Sequence, residues 1–219
     1  MRLNLKLIYA ALISLCLIFG NISVTTVHAA DCEKALFGPG GVFEHEGGFQ
    51  NYANDTGNFR NGKNCGGTKY GITCRDHPGI DIRTLTPQKA AKIYHDNEWQ
   101  AIKGDDIKSQ QLARELLDLA VNMGAGSAVI LMEKVVNDLN GSEPDIPLVA
   151  HVQKSTIDWI NTYTKTEYTK EGEKDKTQRK LFYRTLIILA QMRYNSIAAS
   201  PKQRQWLYTW SCRLYQTKF

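Results

Sequence analysis

QLARELLDLAVNMGAGSAVILMEKVVNDLNG, residues 111–141, decides the fold class. Leu112, Leu116, Leu117, Ala120 and Met123 recur at helical spacing and stop at Gly124 and Gly126, after which Ala128, Leu131, Met132, Val135 and Leu139 form a second stripe ended by Gly141. Two amphipathic helices joined by a glycine turn predict a mainly α protein. Upstream, Thr86 before Pro87 supplies an N-cap and a favoured first-turn proline, with Ala90, Ile93, Tyr94 and Asn97 along one face to an end near Trp99. Downstream, Val149, Val152, Thr156, Trp159 or Ile160 and Tyr163 make a fourth stripe, and Phe182, Thr185, Leu186, Leu189, Met192 and Ser196 a fifth. Ser200-Pro201 opens a last short helix with Trp206, Leu207 and Trp210, while Thr164 to Lys176 reads as a polar loop. Aromatic and methionine stripes at this spacing are core, not a cofactor or membrane face.

The region from Gly38 to Thr73 breaks the helical pattern. It holds ten of the 17 glycines, interleaved with Asn, Asp and Thr, and so predicts turns and a short hairpin. Functional groups displayed on loops over a rigid helical scaffold are where sites tend to sit.

Length and charge narrow the remaining choices. A chain of 219 residues, 42% hydrophobic and 22% charged, has room for one domain or two small ones. A net charge of +5 from 27 basic and 22 acidic side chains is too mild and too mixed for a dedicated nucleic-acid binder. Neither a phosphate-binding glycine loop nor a metal-ligand cluster occurs, so no cofactor and no metal are expected.

Residues 1–29 read as a secretory signal peptide: Arg2 and Lys6 precede an uncharged run from Leu7 to Phe19, and Val27-His28-Ala29 offers a cleavage site. That run is shorter than the roughly 20 residues a membrane span needs, so no stable membrane anchor is expected. The mature chain keeps 25 basic and 22 acidic residues, a net of +3, and is expected in the periplasm or outside the cell. Four cysteines then remain in an oxidising compartment. Of the three pairings, Cys65 with Cys74 closing a short loop and Cys32 with Cys212 tying the ends together are expected. A zinc site is the alternative, but paired C-x-x-C hooks are lacking.

Two acids in the glycine-rich region suit glycosidic bond cleavage, which needs one carboxylic acid to protonate the leaving oxygen and usually a second carboxylate. Glu46, at the end of the short helix Val42-Phe43-Glu44-His45 and followed by Gly47-Gly48, and Asp55 are that pair. The ordered set Glu46-Gly47-Gly48-Phe49, Gly67-Thr68-Lys69-Tyr70-Gly71-Ile72-Thr73, Asp81-Ile82-Arg83-Thr84-Leu85-Thr86, Ile93-Tyr94 with Trp99, and Asp118-Leu119-Ala120-Val121-Asn122-Met123-Gly124 closely resembles glycoside hydrolase family 108, the bacterial N-acetylmuramidases. The resemblance extends over nearly all the mature chain, since Arg193-Tyr194 through Pro201 to Trp210 and Arg213 resembles the helical, peptidoglycan-binding half of those proteins.

The resemblance implies a lysozyme-like helical fold, with residues 30–125 as the catalytic part and 126–219 as the peptidoglycan-binding part of one globular unit. It implies cleavage of the β-1,4 bond between N-acetylmuramic acid and N-acetylglucosamine, with peptidoglycan glycan strands as the partner. Protein partners are not legible. The family's catalytic glutamate falls on Glu46, its aspartate on Asp55 and the threonine after the loop on Thr68. One departure stands out: where the family runs Asp-x-Gly-Gly-x-Thr unbroken, this chain inserts Asn58 to Cys65 between Gly57 and Gly66, so that an ungapped reading puts Lys63 or Asn64 at the aspartate position.

In this reading a partly apolar cleft keeps Glu46 protonated as general acid, and Asp55 stays ionised. Thr68 or Thr73 holds the water, Tyr70 or Trp99 stacks on a sugar ring, and Asn122 either binds an N-acetyl group or caps the helix before Gly124. His45 is an exposed bystander or an electrostatic neighbour of Glu46. A lytic transglycosylase, or a binding module in which Glu46 only contacts glycan, are the competing readings.

Overall fold

A computed structural model describes residues 29–141, 145–164 and 172–215. The signal-peptide reading, and most of the polar loop expected before the fifth stripe, fall outside those residues. The fold is mainly α and lysozyme-like, as expected, with two small hairpins in the glycine-rich region.

Its helices are α1 (Cys32–Phe37), α2 (Val42–His45), α3 (Pro87–Tyr94), α4 (Gln110–Met123), α5 (Ala125–Leu139), α6 (Lys154–Tyr163), α7 (Gly172–Ala198), α8 (Pro201–Arg204) and α9 (Leu207–Tyr215). Thr86 accepts from Lys89 N–H at 3.3 Å to cap α3, and Ser109 accepts from Leu112 N–H at 3.3 Å to cap α4. Gly124, at φ +86°, ends α4 and opens α5 in one left-handed step. The core is a single cluster from Ala30 to Leu214. It runs uninterrupted past residue 125, which is the first of α5. Helix α4 contributes Leu112, Leu116 and Leu117, α5 contributes Val129, Met132 and Val136, and α7 presents Phe182, Leu186, Ala190 and Tyr194 at every fourth residue.

The structure corrects the sequence reading in four places. Asn97 is exposed, because α3 passes into a π turn over His95–Trp99 that advances the buried position from the fourth to the fifth residue after Tyr94. Helix α6 starts at Lys154, not near Val149: Val149 N–H donates to the buried Glu133 carboxylate at 2.8 Å and Ile146 is bound on both backbone groups by Asn137, so this stretch is spent satisfying α5. Helix α7 begins at Gly172, well before Phe182, and the final helix is two, α8 and α9.

The fourth correction concerns the cysteines. Cys65 and Cys74 are disulfide-bonded, whereas Cys32 and Cys212 are free thiols. Asp31 is pinned to Gln110 at the start of α4 by two hydrogen bonds of 2.7 and 2.9 Å, while Arg213 is pinned to Asp118. Eight residues of α4 separate those anchors by about 12 Å, beyond the reach of a disulfide. Burial and the nearby Asp105 push the Cys32 thiol up to about 12, which leaves it inert. Among the described residues no helix is long and apolar enough to cross a membrane and no metal-ligand cluster occurs.

Candidate active site

The glycine-rich region folds into two hairpins. β1 (Phe59–Arg60) pairs with β2 (Lys63–Asn64) across Asn61-Gly62, and β3 (Thr68–Lys69) pairs with β4 (Ile72–Thr73) across Tyr70-Gly71. All four turn residues have positive φ, the geometry of two-residue turns whose twist matches the strands. The first hairpin is the insertion seen in sequence, and the Cys65–Cys74 bond ties its base to the end of β4.

The second hairpin builds the floor beneath Glu46. Gln50 and Thr68 exchange backbone hydrogen bonds at 2.8 Å, and Tyr70 N–H donates to Gly47 carbonyl at 3.0 Å. A tyrosine at φ +53° is strained, and its surroundings hold it there. Its ring stacks on Phe43 at 5.4 Å, and its carbonyl accepts from Tyr94 OH at 2.7 Å. Phe43 in turn meets Phe37 and Tyr94, so α1, α2, α3 and the hairpin share one aromatic cluster.

Glu46 is the C-cap of α2, where the backbone turns from helical to extended and throws the carboxyl group over this floor. Gly71 lies directly beneath it. A Cβ there would fall 2.5 Å from Tyr94 OH, 3.0 Å from Glu46 Cδ and nearer still to Oε2, so only glycine leaves room for the carboxyl group. Burial, and secondarily the Glu46 charge, hold the Tyr94 phenol above its ordinary value, so it donates to Tyr70 as a neutral hydroxyl.

The other wall comes from far along the chain. Arg213 of α9 donates from Nη1 to Glu46 Oε1 at 2.8 Å, and grips Asp118 of α4 through Nε (2.8 and 3.0 Å) and Nη2 (2.6 Å). The three side chains are only 11–17% exposed. Burial alone lowers the guanidinium, but the Asp118 and Glu46 charges outweigh it and hold it above its usual value. Helix α9 is itself anchored by Leu214 in the core and by Trp210, which stacks on Tyr194 at 5.2 Å. Glu46 thus faces an ion pair on this side, where an apolar wall was expected. The pairing was not legible, although one trace exists: Arg213 sits three residues after Trp210, beside the buried stripe of α9.

The remaining site residues are placed as follows. Asp55 caps the 3-10 turn Thr56–Asn58, accepting from Gly57 N–H at 2.8 Å on one oxygen and from the Gln50 amide on the other. Asn58, wholly buried, joins that network by donating to Gln50 at 2.9 Å and accepting from Thr68 hydroxyl at 2.8 Å. Asp55 and Thr68 are therefore linked through two side-chain amides. The Thr73 hydroxyl is engaged with Asp76 at 2.7 Å. Asn122 donates to the Asp118 carbonyl at 2.8 Å and to its carboxylate at 3.3 Å. His45 is exposed.

Trp99 does not belong to this surface. It is 0% exposed, its indole N–H donates to Asp105 at 2.8 Å, and it packs so tightly on Gly104 that a Cβ there would come within 2.7 Å of Cε3. With no face free it cannot stack on a sugar. The π turn that rotates it inward is the reason.

Residues 40–124, which carry Glu46, both hairpins and all of α4, match the family model described as Glycosyl hydrolase 108. Among solved structures, that of Brucella abortus SagA superposes with a TM-score of 0.53, covering 80% of this chain and 88% of its own at 21% identity, a likeness of fold. No curated protein matches. Over residues 40–124 the chain is similar to the glycosyl hydrolase 108 family.

Proposed function

We propose that the protein is an exported peptidoglycan hydrolase that cleaves the β-1,4 bond between N-acetylmuramic acid and N-acetylglucosamine, with Glu46 as general acid. The observation that carries this reading is the setting of Glu46: within the family-matched segment, one carboxyl oxygen is held by Arg213 while the other lies over Gly71. The proton on that second oxygen passes to the glycosidic oxygen as the bond to C1 breaks, and water adds to C1, giving up one proton to a carboxylate of the Glu46 and Asp55 pair. Asp55 is the second carboxylate, its orientation set by Gly57 and Gln50 and its remaining lone pairs available to a water or to the developing positive charge. Of Thr68 and Thr73, Thr68 is the candidate to hold the water, since it shares the Asp55 network while the Thr73 hydroxyl is engaged with Asp76. Tyr70, half-buried on the second hairpin, is the candidate surface for stacking a sugar ring, and Asn122, one turn beyond Asp118, the candidate contact for an N-acetyl group. The helical part after residue 125 extends the glycan-binding surface. The Cys65–Cys74 bond suits an oxidising compartment, in keeping with the export signal in residues 1–29.

The test is mass spectrometry of fragments released from purified peptidoglycan by the mature protein and by its Glu46→Gln variant. Reducing muramic acid ends that vanish in the variant are expected. Anhydro-muramic ends would replace hydrolysis by intramolecular ring closure, and an absence of fragments from folded protein would leave a glycan-binding module.

A further inference from the structure

We propose that Arg213, clamped by Asp118, is the positioning residue of Glu46, so that α9 is a working part of the active site. This rests on Glu46 being the acid.

A carboxylic acid can carry its proton on either oxygen and can turn about its last torsion. Arg213 removes both freedoms. Its Nη1 donates to Oε1 at 2.8 Å, so the proton of the acid form is left to Oε2, the oxygen over Gly71. When that proton leaves for the substrate, the charge that develops on the carboxylate already faces a guanidinium in a site that is mostly out of water. No reorganisation is then needed. Asp118 matters because it fixes the plane of the donor: contacts from Nε and Nη2 hold the guanidinium edge-on, which a lysine ammonium cannot reproduce. Asn122 supports Asp118 from one turn away. The stacking of Trp210 on Tyr194 and the burial of Leu214 make α9 a fixed wall, not a loose strap.

The test uses the full mature chain. Reducing-end release would be measured as kcat and KM on solubilised glycan strands for wild type, Glu46→Gln, Arg213→Ala, Arg213→Lys and Asp118→Asn, beside their melting temperatures. Arg213→Ala is expected to lose about 100-fold in kcat, the cost of a misplacement near 1 Å, with KM changed by less than about twofold. Millimolar guanidinium is expected to restore part of that loss, a recovery that a merely structural residue would not show. Arg213→Lys should lie between Ala and wild type, and Asp118→Asn should lower kcat while staying folded, which covers the case in which Arg213→Ala does not fold. Wild-type kcat in Arg213→Ala and Asp118→Asn, with Glu46→Gln inactive, would overturn this inference and leave the proposed function standing. Higher kcat without Arg213 would overturn it too, making the ion pair a restraint on the acid. Wild type without reducing-end release would overturn both readings.

Discussion

Replacing Gly71 with alanine tests the geometry beneath Glu46 more sharply than any change to Glu46 itself. Two effects are predicted, and a second glycine separates them. The first is backbone strain: Gly71 sits at φ +73°, where an L side chain costs about 1 kcal/mol. Gly62, at φ +74° in the other hairpin, carries the same strain with nothing within 4 Å of its absent Cβ. The second effect is collision. Ordinary contact begins at 3.4 Å, and the new methyl would sit 2.5 Å from Tyr94 OH and closer to Glu46 Oε2, so something must move by about 1 Å. Tyr94 is held by its bond to Tyr70 and Glu46 by Arg213, so neither yields freely. A shift of that size in the acid costs about 100-fold in rate, or about 2.7 kcal/mol of transition-state stabilisation. Both variants should therefore melt a few degrees below wild type, whereas only Gly71→Ala should lose clearing activity on peptidoglycan suspensions. Equal activity in the two variants would refute the placement of Glu46 over Gly71.

Three further outcomes are expected. Replacing both Cys65 and Cys74 with alanine frees a loop of sequence separation 9 and should cost about 2.5 kcal/mol, lowering the melting temperature by about 5–10 °C; an unchanged melting curve would mean that the bond constrains nothing. Trp99→Phe should destabilise by about 1–3 kcal/mol through a small cavity and the loss of the indole hydrogen bond to Asp105 while leaving KM alone, and a raised KM at unchanged stability would return Trp99 to the substrate surface. Burial raises the Glu133 carboxyl above its ordinary value near 4.5, so the folded state holds that proton more tightly than the unfolded one; wild-type stability relative to Glu133→Gln should therefore fall as pH rises from about 4.5 through the raised value and then level off, as urea midpoints across that range would reveal.

Local signals carried most of the fold. Thr86-Pro87 and Gly124 punctuate helices because caps and left-handed turns are decided within a few residues, and the stripes of α4, α5 and α7 follow from burial on one face. The glycine-rich region was legible as turns, and the short disulfide with it. What was not legible depends on partners distant in sequence or on a change of helical pitch. The π turn that hides Trp99 leaves no mark in apolar periodicity. Val149 looks helical until Glu133 of another helix claims its backbone N–H. Cys32 and Cys212 make a plausible pair by count, and only the positions of their helices along α4 forbid it. Of the candidate site, Glu46 is picked out by its neighbours in sequence, but the ion pairs of Arg213 with Asp118 and Glu46 join positions 95 and 167 residues apart.

That separation also orders events during folding. Hairpins closed by two-residue turns form in microseconds, and a cysteine pair nine residues apart meets without help from the rest of the chain. Joining residue 213 to residue 46 must await the docking of α4, α7 and α9, because long loops are closed last in chains whose contacts lie far apart. A refolding sample should thus regain helical signal and its disulfide before it regains the power to cut glycan. With Glu46 as the proposed acid and Arg213 positioning it, activity would report that the final helix has arrived.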